Sequence, residues 1–132
     1  MAIDFHPKAG VVLSCDFRGS IDPEIPKVRP VVVITPSYVR RAHLATIVPL
    51  STKRPQHESG YHFRLSSPPF TGAAPEVWAK CDLAMSVSHS RLDRIRLATG
   101  EFVTGFVSDV DLRRIYFAVA YGFGIDARDV RR

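Results

Sequence analysis

Hydrophobic and polar positions alternate from Gly10 to Phe17, with Val11, Leu13, Cys15 and Phe17 on one side and Val12, Ser14 and Asp16 on the other. A period of two predicts a half-buried strand. Val31 to Thr35 is a continuous β-branched run, which suits a central strand covered on both faces. His43 to Val48 reads as a further strand, stopped by Pro49. Tyr61 to Leu65 alternates again, setting Tyr61, Phe63 and Leu65 against His62 and Arg64. Val77 to Asp82 and Ala84 to Ser88 form one or two strands, and Phe102 to Val107 a last short one in an irregular hairpin.

After Ser108 the period changes. Leu112, Ile115, Tyr116 and Val119 make the apolar stripe of an amphipathic helix, which Gly122 and Gly124 end. Ser108 is its N-cap, and Asp111 three residues on makes an Asp variant of the capping box. Two segments carry no period. Arg18 to Val28 is long for a hairpin loop, and long loops in compact domains often belong to a site. Ser66 to Pro75 is the second loop. Half a dozen short strands followed by one helix predict a mainly β (α+β) fold, a small, strongly bent antiparallel barrel against which the helix packs.

At 132 residues the chain is expected to form a single domain over 1–132, since no repeat, linker or low-complexity tract divides it. No apolar run approaches the roughly 18 residues that span a bilayer, which excludes a membrane-spanning helix. Met1 to His6 lacks the basic and apolar regions of a secretory signal, so a cytoplasmic location is expected. Cys15 and Cys81 lie apart in apolar segments, as small buried thiols rather than a disulfide or ligand pair, and no metal or cofactor is expected. The net charge of +5 points toward a polyanionic partner, because Lys and Arg gain affinity by displacing counterions from phosphates.

Chemistry enters at Lys27 to Ile34, where a basic approach meets the buried run. Arg29, held before Pro30 at a strand mouth, carries a permanent, planar charge that can hold two phosphate oxygens. Lys27, Lys53 and Arg54 add basic groups nearby in sequence or in the next loop. Phe70, in a Pro-rich loop, and Trp78 are candidates to stack exposed bases, although aromatics at alternating strand positions are more often core.

Three ordered blocks carry a resemblance. Gly10-Val11-Val12 through Asp16-Phe17 with Arg29-Pro30-Val31-Val32-Val33-Ile34, then Thr46-Ile47-Val48-Pro49-Leu50-Ser51-Thr52, then Lys80-Cys81-Asp82 with Arg91-Leu92-Asp93-Arg94-Ile95, together resemble the PemK/MazF toxin superfamily. The resemblance implies an SH3-like barrel of the PemK and CcdB kind, a homodimer, metal-independent cleavage of single-stranded RNA and neutralisation by an antitoxin. It implies products ending in 2′,3′-cyclic phosphate and 5′-OH. Residue by residue, it assigns Arg29 to charge stabilisation, and Ser51, where relatives carry threonine, with Thr52 to a phosphate-binding hydroxyl. Asp82 becomes the base, and Lys80, where relatives carry arginine, a source of charge or a proton. Glu24 matches a loop acid that orients the arginine. Relatives with a histidine in the first long loop have no counterpart here, and His62 is the candidate to take its place.

Structural readings stand beside these. Ser51 and Thr52 can cap a turn after Pro49, Lys80 and Asp82 can form a surface ion pair, Glu24 can be a solvated carboxylate, and His62 an exposed strand residue. At the level of function, the same barrel can be a non-catalytic module that binds RNA or a protein, as CcdB-like toxins do with gyrase. Its rim can also serve dimerisation or stability alone.

Overall fold

The computed structural model of the chain describes residues 2–126. Its strands are β1 (Val11–Asp16), β2 (Val28–Val33), β3 (Leu44–Ser51), β4 (His62–Arg64), β5 (Trp78–Lys80) and β6 (Met85–Ser88). Four two-residue strands follow, β7 (Leu92–Asp93), β8 (Ile95–Arg96), β9 (Phe102–Val103) and β10 (Gly105–Phe106), before the helix α1 (Asp109–Gly122). The main sheet runs β10-β1-β2-β3-β5-β4, with β6 also on β3 and β7 also on β1, while β8 and β9 pair separately. All these pairings are antiparallel. This is the mainly β architecture with a C-terminal helix that the periodicity predicts.

Two cores lie on opposite sides of the central strands. Val12, Val32, Val48 and Leu50 pack with Ile115 and Ala118 of α1. Leu13, Val31, Val33 and Ile47 pack on the other side with Ile3, Val87 and Leu92. Successive strand residues face opposite ways, so burial on both sides requires an unbroken apolar run, and the β2 run meets that need. Here β1 departs from expectation: Val12 is fully buried with its neighbours, and the strand is central rather than half-buried.

Pro49 does not stop β3. The Ile34 N–H donates to the Thr46 carbonyl, so even-numbered residues of β3 direct their backbone groups toward β2 and odd-numbered ones away from it. On that far side the β6 ladder ends at Ile47–Met85 and the β5 ladder begins at Leu50–Ala79. Pro49 falls between them, where its missing N–H breaks no ladder bond.

The helix begins as expected, with the Ser108 hydroxyl accepting from the Asp111 N–H at 3.1 Å. Asp111 does not complete a reciprocal box. Its carboxylate, buried at 3% exposure, instead accepts from the Ser66 N–H and hydroxyl, both at 2.9 Å, and pins α1 to the loop after β4. Tyr116 adds a second tie, its hydroxyl donating to the Ile34 carbonyl at 2.6 Å.

Candidate functional site

Arg29 stands opposite Cys15 in the β1–β2 ladder. Directly paired residues project to the same face, so Arg29 shares the face of Val31 and Val33 but emerges at the end where apolar cover gives out, and it is half-buried. It is two residues before Val31, whose partner Pro49 is two residues before Ser51. The two candidate groups therefore leave the same end of the β2–β3 pair. Across from Ser51 stands Trp78, and across from Trp78 stands Arg64. Lys80 pairs with His62 one step along the same face. From β2 to β5 is two strand spacings, roughly 10 Å, a gap that arginine and lysine side chains and one phosphate can fill.

The side chains of Arg29, Lys80 and Asp82 form no hydrogen bond or ion pair among the described residues. Ser51 is 6% exposed, and its hydroxyl accepts from the Lys53 N–H at 3.1 Å. That is the turn-capping arrangement, and it leaves the Ser51 proton available to donate. Thr52 and Lys53 are exposed beside it, and Lys27 is exposed at the mouth of β2.

Asp82 departs from its expected place. Rather than continuing the strand of Lys80, it lies in a 3-10 turn, Cys81–Leu83, so alternation does not set it on the Lys80 face. A Cβ added at Gly122 would meet the Asp82 Cα at 3.1 Å and the Tyr61 Cβ at 3.1 Å. The end of α1 thus backs the turn that carries this exposed carboxylate. The surface ion pair of Lys80 with Asp82, the alternative structural reading, is not formed among the described residues.

His62 is half-buried and lines a groove with Arg114, Phe117 and Tyr121 of α1. Its Nδ1 accepts from the Ser59 N–H at 3.1 Å, which in the neutral ring leaves the proton on Nε2. In this arrangement it is a donor, not a base. Glu24 does not orient Arg29: its carboxylate accepts from the Ile21 N–H at 2.8 Å and closes its own turn.

Arg54 is committed elsewhere, holding Glu76 through two bonds at 3.0 and 2.9 Å. The Trp78 indole N–H donates to the same carboxylate at 2.7 Å, and Arg64 approaches at 3.7 Å. The Arg54 bonds, with that of Trp78, hold the Glu76 carboxyl down at about 2. Trp78 itself is 4% exposed, so neither ring face is open to a base, and Phe70 packs partly against the first core. Sequence reading missed Glu76. Its alternation with Trp78 was visible, but nothing local signalled two arginines arriving from β4 and the β3–β4 loop.

Neither thiol is a nucleophile. Burial pushes Cys15 and Cys81 up to about 12, and the Asp82 charge adds to the effect at Cys81. Among the described residues no three His, Cys, Asp or Glu side chains are arranged to hold a metal ion, and no helix is long and apolar enough to cross a membrane.

The molecule is thus a bent β-sheet closed by one C-terminal helix, with a basic strand end beside a serine. Residues 8–119 match the family described as PemK-like, MazF-like toxin of type II toxin-antitoxin systems, and the chain belongs to that family. It is 34% identical to the uncharacterized protein YifN of Escherichia coli (strain K12), over 76% of this chain and 80% of that one. MazF from Deinococcus radiodurans superposes with a TM-score of 0.67 at 18% identity, covering 92% of this chain and 100% of its own. An endoribonuclease from Mycobacterial species, in complex with its cognate antitoxin, superposes at 0.63 and 18% identity, covering 90% and 96%. At these identities the two structures show a shared fold.

Proposed function

We propose that this protein is a metal-independent endoribonuclease that cuts single-stranded RNA at short sequences, acts in the cytoplasm as a homodimeric toxin, and is neutralised by a cognate antitoxin. The observation that carries the reading is the exit of Arg29 and Ser51 from one end of the β2–β3 pair, with the unpaired Lys80 on the adjoining strand. Such a cluster suits a phosphate that gains charge as it becomes pentavalent.

In this mechanism Asp82 removes the proton of a ribose 2′-OH, and the 2′-oxygen attacks the adjacent phosphorus. Arg29 and the Ser51 hydroxyl hydrogen-bond its non-bridging oxygens. Lys80 gives a proton to the departing 5′-oxygen, leaving a 2′,3′-cyclic phosphate and a 5′-OH. For His62 to serve as acid it must first become an imidazolium, which breaks the Ser59 N–H bond at Nδ1.

Incubation with a varied single-stranded RNA in EDTA tests the reading. Cleavage with cyclic ends is expected, and Arg29→Ala should slow it by about 10²–10³, the usual cost of removing one such donor. Intact RNA with a folded wild-type protein would sink it. The set-apart position of Asp82, in its own turn against α1, favours a second reading as a non-catalytic module. That reading expects tight RNA or protein binding without turnover, and a phenotype indifferent to Asp82→Ala.

A further inference from the structure

At the other end of β2, six residues and about 20 Å from Arg29, the surface opens into a second cleft of about 560 Å³. One wall is the segment before β1, with His6 and Lys8, and the other is the β2–β3 loop, with Thr35, Ser37 and Arg40. Among the described residues no carboxylate lines it. Among the described residues Lys8 and Arg40 form no ion pair, whereas Arg18, Arg54 and Arg64 each meet an acid.

The walls are fixed in advance. The Gly10 N–H donates to the Val33 carbonyl at 2.7 Å, the Thr46 N–H to the Thr35 hydroxyl at 2.7 Å, and the Val39 N–H to the Pro36 carbonyl at 3.0 Å. Pro7 anchors the first wall in full burial. A braced backbone spares the cleft the cost of ordering its loops when an anion arrives, and an open cleft admits a chain rather than enclosing a small molecule.

We propose that this cleft binds backbone phosphates of an RNA strand beyond the nucleotides that react at Arg29. The proposal rests on the RNA-cleavage reading for its ligand, yet its test does not depend on turnover. Two phosphates held by Lys8 and Arg40 fix the strand without reading its sequence.

Binding of a fluorescent 2′-O-methyl RNA 12-mer, which lacks the attacking hydroxyl, is measured by anisotropy across a salt series for wild type and Lys8→Gln/Arg40→Gln. The double variant should bind roughly tenfold more weakly near physiological salt. Its slope of log affinity against log salt should shrink by about 1.4, two phosphates at about 0.7 each for single strands. Cleavage of a tetranucleotide, too short to reach the cleft, should be unchanged. Unaltered affinity and slope in a variant with wild-type circular dichroism would overturn the proposal. Inorganic phosphate or an oligoglutamate displacing the 12-mer from the cleft as well as RNA does at equal charge would overturn it too. If the wild type binds with the predicted slope difference but never cleaves natural RNA, the cleft stands and the nuclease reading falls. If cleavage depends on Arg29 while the double variant binds normally, the cleft alone falls.

Discussion

Asp111 and His89 show how much a single side chain can carry in this fold. Asp111→Ala would strip two bonds from Ser66 in a buried setting, with an expected loss of about 1–3 kcal/mol in urea unfolding. The capping half of its role was legible in sequence, because Ser108 and Asp111 are three residues apart. The Ser66 half was not, since that contact closes 45 positions away. His89 opens the short 3-10 turn His89–Arg91 after β6. In the fold its Nε2 is buried without a partner among the described residues, and burial, then the charges of His6 and His43, hold the imidazole below its ordinary range against the opposing bond at Leu44. The unfolded chain takes up this proton near pH 6.5 and the folded one at lower pH, so the stability His89 supports is present above about 6.5 and declines as pH falls below it. Urea midpoints at pH 7.5 and 5.5 should differ more in wild type than in His89→Asn. Equal differences would remove His89 from the account.

Elements were legible wherever one period governed them. The β2 run and the α1 stripe satisfied both local propensity and burial, so pattern and packing agreed. The failures fall where tertiary pairing overrides local signs, at Pro49, which sits between two ladders, and at Asp82, where the chain leaves β5 through a 3-10 turn. Two-residue strands such as β7 and β8 have no period to read at all. The same turn makes Gly122 a test of how α1 serves the site. Alanine there gains helix propensity of about 1 kcal/mol, but its methyl meets Asp82 and Tyr61 at 3.1 Å, and such overpacking costs about 1–3 kcal/mol. Gly122→Ala should therefore lower the melting temperature modestly and reduce RNA cleavage several-fold, as the Asp82 turn is pushed outward. Normal cleavage in a destabilised variant would separate α1 from the chemistry.

Across the whole molecule, the placement of Arg29 at the end of β2 was legible from the β-branched run that follows it, whereas the commitment of Arg54 and Trp78 to Glu76 depends on strand order. That order gives the chain a timetable. Strand β1 pairs early with β2, but its opposite edge waits for β7 and then β10, where Val11 meets Phe106, and the first core waits for Ile115 and Ala118. Synthesis at about 5–20 residues per second therefore leaves an open edge and half a core until α1 has been made. A fragment ending at residue 100 should be protease-sensitive, with no native circular dichroism and no RNA cleavage. A folded or active fragment would refute the timetable. On this account the first core stays unclosed, and the Asp82 turn unbacked, until α1 has left the ribosome.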